Sequence, residues 1–219
     1  RGDAKYYREI ALGFSKNFTD KLRIGVRAKT LFGIACASID NNNLGITVND
    51  DYTHTFNADL NINVSAPITF ALSGQNTIDS VSFDTTRFNS TSKIVDYLLE
   101  TQNLGFGIDI GAEYKISDRL RVSAAITDLG YIKWKKDVSN LKAESEFVFS
   151  GIDLLEVYNG TMTFDSLGTV LLDSLKNSLY LTNTPSPFTT YLPCGVTLGG
   201  SYNLTKNFSV GLLSYTKFI

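Results

Sequence analysis

The chain has 219 residues, 20 Lys or Arg against 22 Asp or Glu, one His and two Cys. A net charge of −2 gives no electrostatic case for nucleic acid. A lone histidine excludes a histidine-rich metal site, and no apolar run approaches the roughly 20 residues of a membrane helix. One barrel or sandwich domain fits this length, and a membrane barrel stays open because its apolar residues are interleaved with polar ones.

In chain order, the first signal is a hairpin. Leu12, Phe14 and Phe18 lead into Thr19, Asp20 and Lys21, and apolar residues resume at Leu22 and Ile24. The design returns at Ile110 to Val122 around Ser117, Asp118 and Arg119, and at Leu198 to Val210 around Thr205, Lys206 and Asn207. Three polar residues between two apolar anchors make a tight hairpin connection that keeps both arms in phase. Gly13 is expected to face Arg27, Phe14 to face Val26, Ala112 to face Ala124, and Lys115 to face Arg121. The three segments read as equivalent turns at one rim.

The strands themselves alternate. Leu22, Ile24, Val26, Ala28, Phe32 and Ile34 share one face, with Arg23, Arg27 and Lys29 on the other. From Thr53 to Ala66, Phe56, Ala58, Leu60, Ile62 and Val64 oppose Thr55, Asn57, Asp59, Asn61 and Asn63. From Leu104 to Ile116 every even position is apolar and every odd one is Gly, Asp, Glu or Lys; Leu120 to Trp134 forms the second arm. Side chains alternate faces along a strand. These runs last about a dozen residues where an ordinary strand has roughly 5–6, and a bilayer demands about 9–11 tilted residues. The predicted fold is an antiparallel transmembrane β-barrel with short turns at one rim and long loops at the other.

Two features set this apart from a soluble antiparallel barrel with its apolar face inside. The polar face is rich in glycine (Gly13, Gly25, Gly33, Gly105, Gly107, Gly111, Gly199), which relieves crowding on a concave surface. Aromatics gather near strand ends, among them Phe14, Phe32, Phe106, Tyr114, Trp134, Tyr202 and Phe208, as interfacial girdles do. Asp128 interrupts the apolar phase and predicts a bulge, with Tyr131 turned inward. Cys36 and Cys194 read as small lipid-facing residues rather than a disulfide.

The polar stretches Asn41–Asp51, Pro67–Asn103 and Lys135–Pro187 read as loops, with 67–103 and 135–187 the long ones. Ser90 and Thr91 can cap a helix through Ile94, Val95, Leu98 and Leu99; Asp165 and Ser166 can cap a second through Leu179. Such helices would cap the loops or plug a lumen.

The stretch from Leu104 to Asp153 resembles an uncharacterised family of outer-membrane β-barrels from Bacteroidetes, a domain of unknown function. The residues that carry the likeness are Gly105 to Ala112, Asp128 to Trp134 and Phe149 to Asp153, with Tyr7 to Gly13 and Leu31 to Gly33 in support. The resemblance implies a Gram-negative outer membrane, outer-membrane lipid as a partner, and a longer parent barrel of which this chain lacks strands at both ends. Bacteroidetes proteins of this kind can carry O-glycans where Asp precedes Ser or Thr followed by a small aliphatic residue or Thr; Ser80, Thr85, Ser166 and Ser174 fit, and Ser80 and Thr85 are nominated because the other two border or lie within the second expected helix.

No catalytic, cofactor or metal motif is present: His54 sits in the apolar phase near a rim, and the glycines after Gly105 lie inside a strand rather than at a strand-to-helix turn. The chain is read as no enzyme and as needing no cofactor. The candidate lumen-lining residues are Arg23, Arg27, Lys29, Asp59, Asp109, Glu113, Lys115 and Arg121. Either they form a salt-bridged filling, or the basic cluster Arg23, Arg27 and Lys29 selects anionic solutes. The expected function is a channel or transporter for small solutes. The alternative is a structural or secretion-associated barrel with a plugged lumen, binding other outer-membrane or secretion-system proteins.

Overall fold

The computed structural model describes residues 2–51, 53–72, 78–149 and 178–218. In chain order its elements are β1 (Gly2–Asn17), β2 (Leu22–Val48), β3 (His54–Ser65), β4 (Ile68–Leu72), β5 (Ile78–Phe83), a 3-10 turn (Thr85–Phe88), α1 (Thr91–Leu98), β6 (Leu104–Lys115), β7 (Leu120–Trp134), β8 (Val138–Phe149), β9 (Leu179–Asn183), β10 (Phe188–Tyr191), β11 (Gly195–Asn203) and β12 (Ser209–Lys217). The fold is mostly β, with antiparallel pairing throughout the registered ladders. No helix among the described residues is long and apolar enough to cross a membrane, which says nothing of crossing by strands. The chain forms two compact units.

The hairpin unit takes Tyr6–Ile34, Asp96–Lys135 and Pro187–Ile219. Its strands run β1, β2, β6, β7, β11, β12 across the ladder, so three hairpins lie side by side. The three turns share one construction. The Phe18, Ile116 and Leu204 amides donate to the carbonyls of Leu22, Leu120 and Phe208 at 2.8, 2.9 and 2.9 Å. The Thr19 hydroxyl accepts from the Leu22 amide at 2.9 Å. Ser117 Oγ accepts from Leu120 at 3.1 Å and Thr205 Oγ1 from Asn207 at 3.3 Å. Short hydroxyl side chains bonding the backbone two or three residues on favour turns over continued strand. Neighbouring hairpins are aligned at this end, because Lys115 N–H donates to the Lys21 carbonyl at 2.7 Å and Asn203 N–H to the Arg119 carbonyl at 2.8 Å.

The registers match the sequence phase. Val26 pairs with Ile110, Ala112 with Ala124, and Lys115 with Arg121. The phase changes once on β7. Ile110 pairs with Ile126, yet Ile108 pairs with Leu129, so Thr127 and Asp128 together oppose Asp109. Asp128 has φ 60°, and its amide donates to Asp109 Oδ1 at 2.8 Å. Two residues against one is a bulge, and Asp is among the residues that tolerate this left-handed backbone.

Two expectations are corrected by that shift. Tyr131 pairs with Phe106 and joins the exposed apolar face instead of turning inward. Trp134 leaves the apolar face and is fully buried, with Ile132 and Leu31 also at 0 % exposure. The Trp134 indole donates to Thr190 Oγ1 at 2.8 Å and stacks on Phe188 at 6.2 Å. Gly33 makes room for it: a Cβ there would sit 2.4 Å from the ring.

The inserted unit takes Arg1–Lys5, Ala35–Val95 and Lys136–Ser186. β2 continues into it rather than ending near Cys36, pairing through Val48 with β3 across an irregularity at Ile39 and Asn41. β3 then pairs with β8, and β8 with β9. The stretches read as loops therefore hold strand: β4 with β5, β8, and β9. The run Asn41-Asn42-Asn43 in β2, and Lys142, Glu144 and Glu146 in β8, give these stretches the composition of loops and masked them. Cys36 is buried, not on an outer face, and Cys36 and Cys194 form no disulfide with each other. An arginine latches the connections: Arg87 forks onto Asp137 at 2.5 and 2.9 Å and reaches Asp84 at 3.0 Å, while Ala66 N–H donates to the Asp137 carbonyl. Asp84 caps the 3-10 turn, and the hydrogen bond from Thr86, with help from Arg87, holds its carboxyl below the usual range.

α1 starts as expected, with the Ile94 amide donating to the Ser90 carbonyl at 3.1 Å. Val95, Leu98 and Leu99 are exposed. The second expected helix, from Asp165, lies outside the described residues up to 177.

Gly33→Ala should destabilise the hairpin unit by about 1–3 kcal/mol, the range for overpacking a filled site. Denaturant unfolding followed by Trp134 fluorescence checks this; an unchanged midpoint would show that the ring is not wedged against Gly33.

Candidate functional site

The polar face of the hairpin unit is where chemistry concentrates. Arg27 pairs across the ladder with Asp109, Lys29 with Gly107, and Arg23 with Glu113. Because Gly107 has no side chain, the Lys29 stem lies across it beside Leu192. Its ammonium then meets Asp109 Oδ1 at 2.7 Å and Asp128 Oδ1 at 2.6 Å, with Glu9 Oε2 at 3.8 Å. The Lys29 side chain is only 5 % exposed. Arg27, half-exposed, binds Glu9 at 2.7 Å and approaches Asp109 at 3.9 Å.

Two cations thus stand among three carboxylates. A buried ammonium needs such partners, since a lone charge taken from water costs several kcal/mol. The arrangement leaves no surplus positive charge at Arg27 and Lys29, so the expected basic cluster is a neutralised network. Arg23 instead donates to Ser15 Oγ at 3.0 Å.

Seven of the eight sequence-nominated residues come together on this face: Arg23, Arg27, Lys29, Asp109, Glu113, Lys115 and Arg121. Nearer the turns, Lys115 pairs with Asp118 at 2.6 Å and Arg121 with Glu113 at 4.0 Å. Asp59 lies in the inserted unit, opposite Asn43 and Glu144. Asp128 and Glu9 complete the network, and Asp128 was visible in sequence only as a charge out of phase. Below the network the face opens into a groove lined by Gly13, Gly25, Gly111, Ala125 and Thr127 with Arg23 and Glu113. No group of three or more metal-binding side chains occurs among the described residues.

The opposite face is apolar and open. Leu12 is 82 % exposed, Phe14 73 % and Leu212 81 %, and Ile110, Ile126, Leu198 and Val210 continue the surface. A contiguous apolar face of this extent is far from the scattered exposure of ordinary soluble surfaces.

The profile of a family of unknown function, DUF5723, matches residues 1–219. The chain belongs to DUF5723. No curated protein and no solved structure matches this DUF5723 chain. The nominated glycosylation residues of this DUF5723 member lie in the inserted unit. Ser80 is exposed on β5, within a strand rather than a loop, and Thr85 is exposed at the start of the 3-10 turn that Asp84 caps.

Lys29→Ala removes the counter-charge shared by Asp109 and Asp128. It should destabilise the hairpin unit by about 3–5 kcal/mol, as breaking a buried ion pair does. Arg121→Ala, at a half-exposed pair, should cost under about 1 kcal/mol. Equal shifts in unfolding midpoint for the two variants would refute a buried role for Lys29.

Proposed function

We propose that this DUF5723 chain forms part of the wall of a β-barrel in the outer membrane of a Gram-negative bacterium, its exposed apolar face against lipid and its charged face toward the barrel interior. The observation that carries this reading is the segregation of faces: exposed large apolar residues on one side of three aligned hairpins, ion pairs and glycines on the other. In water such a face would draw chains into aggregates; in hydrocarbon it is the outer surface that strands of this length require. The likeness to Bacteroidetes outer-membrane barrels agrees with this reading.

Within it, the buried Lys29 network and the Trp134 cluster favour a barrel whose interior is filled at that level and which serves a structural or partner-binding role. Passage of small solutes is the second reading. The glycine-lined groove between the network and the turns favours it, since that part of the face has room for water. Planar-bilayer recordings of the full-length protein separate the two: a silent barrel is expected, and stable conducting steps would establish the channel instead.

The membrane reading has its own test. Ala124, on the apolar face, and its neighbour Ser123, on the polar face, are two small side chains that point opposite ways. Ala124→Arg should cost about 2–4 kcal/mol in membrane folding if placed near the bilayer midplane, and Ser123→Arg far less. Equal yields of the two variants on refolding into bilayers would sink the assignment of faces.

A further inference from the structure

We propose that the turn end of the hairpin unit is a docking collar for the net-negative headgroups of anionic phospholipids. The proposal rests on the membrane reading above and adds which lipid surface this end meets.

Residues 15–23, 113–121 and 202–210, the three turns with their flanks, hold seven Lys or Arg against the three acids Asp20, Glu113 and Asp118, in a chain whose net charge is −2. Two of the acids are engaged, Asp118 by Lys115 and Glu113 by Arg121. Lys16, Lys21, Arg119 and Lys206 are exposed and make no salt bridge among the described residues. They come from three different hairpins, and the aligned turns gather them at one end of the ladder.

The surface beside them is apolar. The turn anchors Phe18, Ile116, Leu204 and Phe208 are each about half to two-thirds exposed (65, 48, 47 and 59 %), and they continue the open face of the strands. A soluble acidic partner would satisfy the cations and leave those anchors in water. Only an amphiphilic surface supplies a hydrocarbon slab and, at its edge, a plane of negative charge. A bilayer containing anionic phospholipid does both, and flexible lysine and arginine stems reach from apolar surroundings to the headgroup level. Each such cation adds to the attraction of an anionic surface.

The experiment refolds the protein into vesicles of phosphatidylcholine alone and of phosphatidylcholine with about a third phosphatidylglycerol, and measures partitioning by co-sedimentation and insertion by protease protection at low and high salt. A preference of at least about tenfold for the anionic vesicles, reduced by salt, is expected. The combined variant Lys16→Gln, Lys21→Gln, Arg119→Gln and Lys206→Gln should insert into phosphatidylcholine as the wild type does and lose that preference. Equal insertion of the wild type into both vesicles, or a preference kept by the variant, overturns the collar and leaves the membrane reading standing. Failure of the wild type to insert into either vesicle overturns both.

Discussion

The backbone of Asp128 is the constraint on which the hairpin unit depends. Its left-handed turn puts an extra residue into β7, and every side chain beyond it changes face. Without that step Trp134 and Ile132 would project among the exposed residues, and Phe188, Thr190 and Gly33 would have nothing to enclose. The same residue supplies the carboxylate that helps hold the Lys29 ammonium, and its amide is held in turn by Asp109. Backbone conformation, phase change and charge balance are therefore one feature seen from three sides.

That feature divides the polar face into two zones. Beyond the bulge, aromatic and aliphatic packing with one buried cation fills the space. Between the bulge and the turns, small residues alternate with half-exposed ion pairs, and the space is left to solvent. The ladder geometry makes both possible, because glycines at Gly33 and Gly107 stand where a Trp ring and a Lys stem cross neighbouring strands.

Much of this was legible in the sequence. The three turns were readable because three polar residues between two apolar anchors recur at fixed spacing, and the pairings of Ala112 with Ala124 and Lys115 with Arg121 followed from phase alone. Alternation also separated the charged residues from the apolar ones on β2, β6 and the first half of β7. What escaped were consequences of the third dimension. Asp128 was readable as a bulge, but which face Tyr131 and Trp134 would take depends on the number of residues the bulge inserts. The opposition of Asp109 and Asp128 to Lys29 depends on register across three strands. Strand β8 and the far half of β2 were hidden because their polar side chains resemble those of loops, and pairing with β3 is a long-range property that local composition does not carry. Asp59 followed the right alternation on a strand that belongs to the other unit.

The three Ser- or Thr-based turns also set an order of events. Each closes a hairpin from residues adjacent in the chain, whereas pairing β6 with β2 must wait for the whole first insertion to be spanned, and β11 with β7 for the second. Loop closure becomes dearer with length, but only logarithmically. Local hairpins are thus the natural early structures, and their side-by-side docking the slow step. Such an assembly is indifferent to the size of what hangs between the hairpins: doubling an insertion adds only about 0.6 kcal/mol of closure entropy. The end of the ladder away from the turns is therefore where chain length can change freely, while the turn end, fixed by three hydroxyls, cannot.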